Sequence, residues 1–257
     1  MSFDVDAQAY AQFMGRYSEP LAGRFAAGLH LRPGQRALDV GCGPGALTAE
    51  LVQRLGVAAV SAVDPSESFA AAAAARFGGL DVRQAAAEQL PYPTGEFDCV
   101  AAQLVVHFMT DPVAGLAEMA RVARPDGLVA ACVWDFGGGG SPLSVFWRAA
   151  RELDPGTPDE SNLPGVRAGE LARLLEQAGL RDVGSGTVTV RVGFATVESW
   201  WQPFLLGVGP AGSYVARLAA EQRRQLRDRC AELLPAAPFE ITASAWTAHG
   251  RPGSRSG

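Results

Sequence analysis

The sequence predicts an α/β fold, a doubly wound and mostly parallel sheet with helices on both faces. Three observations predict it. Short apolar runs alternate with helical patterns from residue 36 onward, and a strand–glycine–helix turn stands at Asp39–Gly45. The run Leu128–Trp134 is apolar on both faces, as a central parallel strand requires. Alternation at this spacing implies βαβ units, whose crossovers set the strands parallel.

Each element follows in order. Tyr10, Phe13, Arg16 and Tyr17 fall on an amphipathic helix before the first strand. Arg36–Val40 is that strand, stopped by Gly41. Ala46–Leu55 is a helix with Leu47, Leu51, Val52 and Leu55 on one face and Gly56 as its stop. Val57–Val63 is the second strand, Ser66–Phe77 an alanine-rich helix, Asp81–Ala85 the third strand and Phe97–Val105 the fourth. Asp111 caps and Pro112 opens a helix that reaches Ala123, and Leu128–Trp134 is the fifth strand. After residue 136 the alternation breaks. A glycine run, Gly137–Gly140, leads into a loop and helix region ending near Pro164. Ala168–Leu180 is helical and Val188–Phe194 alternates as a strand. A stretch rich in tryptophan, glycine and proline precedes a charged helix at Val215–Leu234, and Ile241–Trp246 is the last strand.

Composition narrows the functions. The 257 residues are 48% hydrophobic, enough for a well-buried core. Met1–Asp6 carries two acids and no apolar run, so no signal peptide is expected there, and the tail Arg251–Gly257 is expected to be disordered. No apolar stretch has membrane-spanning length, so no membrane partner is expected. The net charge is −5, and Arg223, Arg224, Arg227 and Arg229 are interleaved with Glu221, Asp228 and Glu232 as on a solvated helix face. No nucleic-acid partner is expected. Every basic residue is arginine, which excludes Schiff-base and P-loop lysine chemistry. The missing lysine and the single Asn162 suit a GC-rich bacterial genome. Cys42, Cys99, Cys132 and Cys230 form no metal-binding spacing, so no metal is expected and a reducing cytoplasm fits.

The turn Asp39-Val40-Gly41-Cys42-Gly43-Pro44-Gly45 ends a strand and opens a helix. Its glycines let a ligand approach the backbone, and the helix N-terminus offers free N–H groups to an anion. Asp64, at the end of the second strand, can accept hydrogen bonds from both hydroxyls of a ribose. These features alone fit NAD and S-adenosylmethionine equally, because Gly41, Gly43 and Ala46 satisfy the dinucleotide spacing as well.

The wider pattern resembles the class I, Rossmann-like S-adenosylmethionine-dependent methyltransferases, of the methyltransferase type 11 kind. The turn is similar to their first motif, in which an acid stands two residues before the first glycine. Val63-Asp64-Pro65-Ser66 is similar to the second motif, and Ala87-Glu88-Gln89-Leu90-Pro91-Tyr92 to the stretch after the third strand. Phe97-Asp98-Cys99-Val100 and Glu118–Gly127 resemble the fourth-strand motif and the approach to the fifth strand. The resemblance covers residues 30–135. It implies a seven-stranded sheet whose last strand is antiparallel, with inserted helical lid elements. Residues 1–136 would be the N-terminal helix and cofactor-binding core. Residues 137–257 would complete the same domain, with substrate-covering insertions at about 137–166 and 195–238. The last two strands would be Val188–Phe194 and Ile241–Trp246, paired across the second insertion.

The resemblance further implies S-adenosylmethionine as cofactor and S-adenosylhomocysteine as product, and the tryptophans of the second insertion suit a small apolar or aromatic molecule as methyl acceptor. Asp39, Gly41, Cys42, Gly43 and Gly45 would line the methionine end, Asp64 and Pro65 the ribose, and Gln103 and Leu104 the end of the fourth strand. Ala86 stands where many relatives carry an aspartate for the adenine amine, so Ala86, Ala87 and apolar walls would hold the base, with Glu88 as a partial substitute. Arg16 reads either as a partner of the cofactor carboxylate or as a surface arginine. His107 reads either as a general base touching substrate or as a histidine packed under a loop, with Asp135 as its possible orienting group. Trp134, Trp200 and Trp201 would wall the acceptor site, with residues 195–212 as a lid and Gly207–Gly212 as its flexible end; the alternative for Trp200 and Trp201 is packing of the inserted helices onto the sheet. A non-catalytic S-adenosylmethionine-binding module and an NAD-dependent oxidoreductase stand as alternatives.

Overall fold

The computed structural model describes residues 7–253. The expectations for Met1–Asp6, and for 254–257 at the tail, fall outside these residues. Arg251 and Pro252, counted above with that tail, are the end of the last strand.

The chain opens with α1 (Ala7–Tyr10), a π-helical turn (Ala11–Gly15) and α2 (Arg16–Gly28), which bury Phe13, Tyr17, Leu21 and Phe25 against the sheet. Then come β1 (Ala37–Val40), α3 (Ala46–Leu55), β2 (Val60–Asp64), α4 (Glu67–Arg76), β3 (Asp81–Gln84) and β4 (Phe97–Gln103). The caps follow the sequence chemistry: the Ser66 hydroxyl accepts from Phe69 N and starts α4, and the Asp111 carboxylate accepts from Ala114 N and starts α5 (Pro112–Val122). β5 (Ala123–Trp134) is five residues longer than its apolar run suggested. Its first stretch, Arg124-Pro125-Asp126, is exposed yet extended, with Ala123 paired to Phe97 on β4.

The second half carries α6 (Ser144–Leu153), α7 (Glu170–Gln177), β6 (Leu180–Phe194), α8 (Val197–Trp201), a 3-10 turn (Gln202–Leu206), α9 (Gly209–Arg217), α10 (Ala220–Leu233) and β7 (Phe239–Pro252). The sheet has seven strands in the order β3-β2-β1-β4-β5-β7-β6. β1 to β5 run parallel, and β7 is antiparallel to both β5 and β6. Val188 faces Ala245 and Val192 faces Ile241, so the two expected edge segments pair across the insertion.

Two segments of the second insertion differ from the sequence reading, and the expected strand Val57–Val63 opens as a 3-10 turn over Val57–Ala59. Gly207–Gly212 is not a free turn: α9 begins at Gly209, with Pro210 in its first turn, where the missing N–H has no helical partner to lose. Gly212 lies so close to the Gly207 backbone that a Cβ there would come within 2.6 Å. The charged helix is also split, because Leu218 leaves helical geometry between α9 and α10. Three of the four arginines of α10 carry ion pairs, Arg224 with Glu221 at 2.6 Å, Arg227 with Asp228 and Arg229 with both Glu152 and Glu232, while Arg223 donates to Leu218 O.

Candidate active site

The carboxyl ends of β1, β2 and β4 meet at one edge of the sheet, where strand order switches on either side of β1. A cleft of about 800 Å³ opens there. Gly41, Gly43, Asp64, Pro65, Ala86, Ala87, Glu88, Gln103 and Leu104, all singled out in the sequence, line it. Gly41 has φ +71°, and a Cβ there would collide with Val105 Cγ2. Gly43 also has positive φ, but open space lies beyond its Cα, so the backbone itself is presented to the cleft.

Asp64 is held before any ligand arrives. Its Oδ2 accepts from Gly43 N at 2.8 Å and its Oδ1 from Ser66 N at 2.9 Å. Burial raises its pKa, and the two backbone donors work against that rise. Each oxygen keeps a second lone pair for a hydroxyl donor. Glu88 Oε1 accepts from Thr110 N and Asp111 N, at 2.8 and 3.1 Å, so it ties the cleft wall to the start of α5.

A smaller cavity adjoins the cleft beneath the glycine turn, lined by Asp39, Cys42, Ser18, Gln103 and Tyr10 among others. Three buried polar atoms on this cavity have no partner among the described residues: Asp39 Oδ1, Gln103 Oε1 and Ser18 Oγ. All three can accept a hydrogen bond, and two are acceptors only. Asp39 Oδ2 takes a 2.6 Å bond from Thr48 Oγ1. Burial, reinforced by the nearby Asp64 charge and opposed by Thr48, lifts the Asp39 pKa to about 7. The Cys42 thiol is also pushed up by burial, so it is no nucleophile. Leu104 lines cleft and cavity alike in a left-handed conformation, φ +62°, rare for a branched residue.

A third, mainly apolar chamber lies behind the cleft. Tyr10, Leu104 and Phe108 line both, so the two spaces share a wall. His107, Trp134, Phe136 and Glu160 are also in its wall, with Phe13, Met14, Leu143 and residues 208–211, and its volume is only about 40 Å³. His107 is buried against Phe108 and Phe136, and its Nδ1 has no partner among the described residues. Burial alone drops its pKa to about 3, so it is neutral and very weakly basic, unlike a general base poised near neutrality. Asp135 does not orient it. That carboxylate accepts from Gly138 N at 2.7 Å and from Trp246 Nε1 at 3.1 Å and so pins the glycine run.

Four sequence candidates lie away from these spaces. Gly45 lines neither cleft nor chamber; it backs onto the Phe77 ring, where a Cβ would approach to 2.6 Å. Arg16 donates from Nη1 to Ser199 O at 3.0 Å and sits over the Phe194 ring, which fastens α2 to the insertion. Trp200 and Trp201 take the packing role instead of facing the cleft or the chamber: both are buried, with ring centroids 4.8 and 5.7 Å from Phe204, and Trp201 also stacks on Phe146. The apolar rings gain more from this closed aromatic cluster than from lining a wet cavity. Ser18, Glu67, Ser68, Thr110 and Glu160 are polar residues lining these spaces that sequence reasoning did not single out as site residues. Among the described residues no cluster could hold a metal, and no helix is long and apolar enough to cross a membrane.

Comparison with known proteins agrees with this fold. The profile of the methyltransferase domain family matches residues 38–131. The 27-O-demethylrifamycin SV methyltransferase of Amycolatopsis mediterranei is 30% identical over 86% of this chain and 74% of its own length. The nocamycin O-methyltransferase of Saccharothrix syringae is 33% identical over 50% of this chain. The chain spans about half the length of several curated relatives it matches, 48% for the nocamycin protein. Among solved structures, the YcgJ protein of Bacillus subtilis superposes with a TM-score of 0.59 at 17% identity, over 91% of this chain and 98% of that one.

Proposed function

The chain belongs to the class I S-adenosylmethionine-dependent methyltransferase family, and on that premise we propose that it transfers a methyl group to a small apolar or aromatic acceptor. The observation that carries the proposal is the set of unpartnered atoms beneath the glycine turn. Asp39 Oδ1, Gln103 Oε1 and Ser18 Oγ surround a cavity that offers them no donor. Unsatisfied buried acceptors are costly, and a ligand ammonium would satisfy them. A dinucleotide presents a pyrophosphate at this turn, which would face the Asp39 carboxyl without a cation. The amino-acid end of S-adenosylmethionine brings the required positive group.

In this reading Gly41, Cys42 and Gly43 cradle the methionine end, with Gly45 shaping the turn from behind. Asp64 receives the ribose hydroxyls beside Pro65, and Ala86, Ala87 and Glu88 flank the base. Leu104 stands where the cleft meets the chamber. S-adenosylmethionine supplies an electrophilic methyl carbon on a sulfonium that departs as a neutral thioether, so no acid is needed. The chain aligns the acceptor and excludes water. The acceptor shares the cleft of about 800 Å³ with the cofactor, and the mainly apolar chamber with His107 and Trp134 in its wall, only about 40 Å³, lies behind its inner end at Leu104 and Phe108. The rifamycin and nocamycin relatives are named for small-molecule methylation, which supports this substrate class.

Calorimetry with S-adenosylhomocysteine and with NADH, followed by labelled methyl transfer to a panel of small hydroxylated aromatics, tests the reading. Tight binding of S-adenosylhomocysteine with labelled product is expected. Preference for NADH would overturn it in favour of a dehydrogenase, and tight binding without product on any acceptor would favour a non-catalytic binding module.

A further inference from the structure

We propose that the cleft selects its acceptor by charge: it takes a small molecule that is neutral or carries an ammonium, and rejects one that carries a carboxylate or phosphate. This rests on the methyl-transfer reading, which puts acceptor and cofactor in the same cleft. Among the described residues lining the cleft, three carry carboxyl groups, Asp64, Glu67 and Glu88, and none is basic. The adjoining spaces keep to the same sign. Asp39 lines the cavity beneath the glycine turn with one buried oxygen unpartnered, Glu160 lines the chamber, and burial keeps His107 neutral there. Arginines on the neighbouring elements are engaged elsewhere. Arg76 of α4 donates to Pro44 O at 3.3 Å and lies 3.9 Å from Glu19, Arg83 of β3 pairs with Asp81, and Arg121 of α5 pairs with Glu118.

The lack of a cation would not by itself bar an anion, because backbone N–H groups at a turn or a helix start can hold one. Here the chain's own oxygens have taken those donors. In the glycine turn, Gly41 N and Cys42 N both donate to Val63 O, at 2.8 and 2.9 Å, and Gly43 N donates to Asp64 Oδ2. At the start of α4, Ser66 N donates to Asp64 Oδ1 and Phe69 N to Ser66 Oγ. At the start of α5, Thr110 N and Asp111 N donate to Glu88 Oε1 and Ala114 N to Asp111 Oδ1. The start of α3, at Ala46 and Leu47 beside the small cavity, is left for the cofactor's own carboxylate, whose charge the neighbouring ammonium offsets. An acceptor anion would therefore exchange its hydration for a wall of like charge whose donors are spent. An ammonium meets the reverse. Glu67, exposed in the first turn of α4, has no hydrogen bond or ion pair among the described residues, and a cleft of one sign concentrates the opposite charge.

The test uses the full chain saturated with S-adenosylhomocysteine and follows binding of phenethylamine, 2-phenylacetamide and phenylacetate by NMR titration near neutral pH. The three share one ring and differ in charge. At low salt the wild-type protein should bind phenethylamine about tenfold or more tighter than phenylacetate, with the amide between them, the size of a few carboxylates acting through solvent. Raising the salt to about 0.5 M should narrow that ratio several-fold. Glu67→Arg should narrow it several-fold at low salt, and Glu67→Gln by a smaller factor. Both variants should keep S-adenosylhomocysteine affinity within about threefold, because that ligand carries no net charge. Phenylacetate bound as tightly as the amide overturns the proposal, and so does a ratio that neither salt nor Glu67→Arg narrows. Failure of both the amine and the amide to bind overturns it too. Failure of the wild type to bind S-adenosylhomocysteine would instead strike the methyl-transfer reading.

Discussion

Replacing Asp39 by asparagine should stabilise the ligand-free protein while weakening the cofactor site. Asp39 is fully buried, one of its oxygens has no partner, and its pKa rises from 3.8 to about 7. The native state therefore resists ionisation of a group that ionises freely in the unfolded chain. A carboxyl with a raised folded pKa costs stability as pH climbs from its unfolded value to its folded one, and the cost is constant above that window. With these values the penalty is about 2 kcal/mol at pH 5 and about 4 kcal/mol at pH 8, at about 1.4 kcal/mol for each pKa unit. Asparagine has no charge to bury, and its carbonyl can still accept from Thr48 Oγ1, which now bonds Asp39 Oδ2. Urea unfolding of wild type and Asp39→Asn, without ligand, should show the variant more stable at both pH values, with the gain larger by about 2 kcal/mol at pH 8. Calorimetry should show S-adenosylhomocysteine binding weakened by about 10- to 100-fold, because the ammonium loses its anion. A variant less stable than wild type at pH 8, or a gain equal at both pH values, would refute the account of Asp39 as a strained, ligand-directed acid.

Other outcomes follow from the same geometry. Asp64→Ala should lower S-adenosylhomocysteine affinity by about 10- to 100-fold, and a loss under about threefold in calorimetry would count against the ribose contact. Gly41→Ala meets both the positive φ and the Val105 side chain, so it should cost about 2 kcal/mol or more in urea unfolding; a neutral effect would contradict the local geometry. Trp201→Ala should cost about 3 to 5 kcal/mol of stability as a core cavity, yet leave S-adenosylhomocysteine affinity within about twofold. For His107, burial predicts no inflection between pH 5 and 9 from its own titration, and histidine NMR shifts that stay flat across that range would show it.

The donor half of the site was legible because it is local. Gly41, Gly43, Asp64, Ala86, Gln103 and Leu104 all stand at strand ends, and apolar periodicity locates strand ends well. The chamber behind the cleft was not. Glu160 lies in a loop of proline, glycine, aspartate and serine with no period to reveal its direction. The pair Trp200 and Trp201 announced an aromatic cluster, but composition does not say which side of an insertion the rings face. The edge strands were underestimated for a related reason. β6 begins at Leu180 and not at Val188, because Gly184-Ser185-Gly186 reads as a loop until β7 supplies its hydrogen bonds. Gly184 is needed there since a Cβ would meet the His249 ring at 2.6 Å. His107 was half legible: its position in the chamber wall follows from the end of β4, while its loss of basicity comes from burial by residues distant in sequence.

The placement of β7 between β5 and β6 has a consequence for how the molecule comes into being. Until residues 239–252 have left the ribosome, β5 and β6 have no common partner, and each presents an unpaired edge to solvent or to a chaperone. The parallel half of the sheet can condense during synthesis, from local βαβ units. Its junction with β6 must wait for a strand that slots between two existing edges, a slow pairing at long sequence separation. Chains stopped short of β7 should therefore be the aggregating species, and nascent-chain protection should appear late and all at once across β5, β6 and the helices carried between β6 and β7.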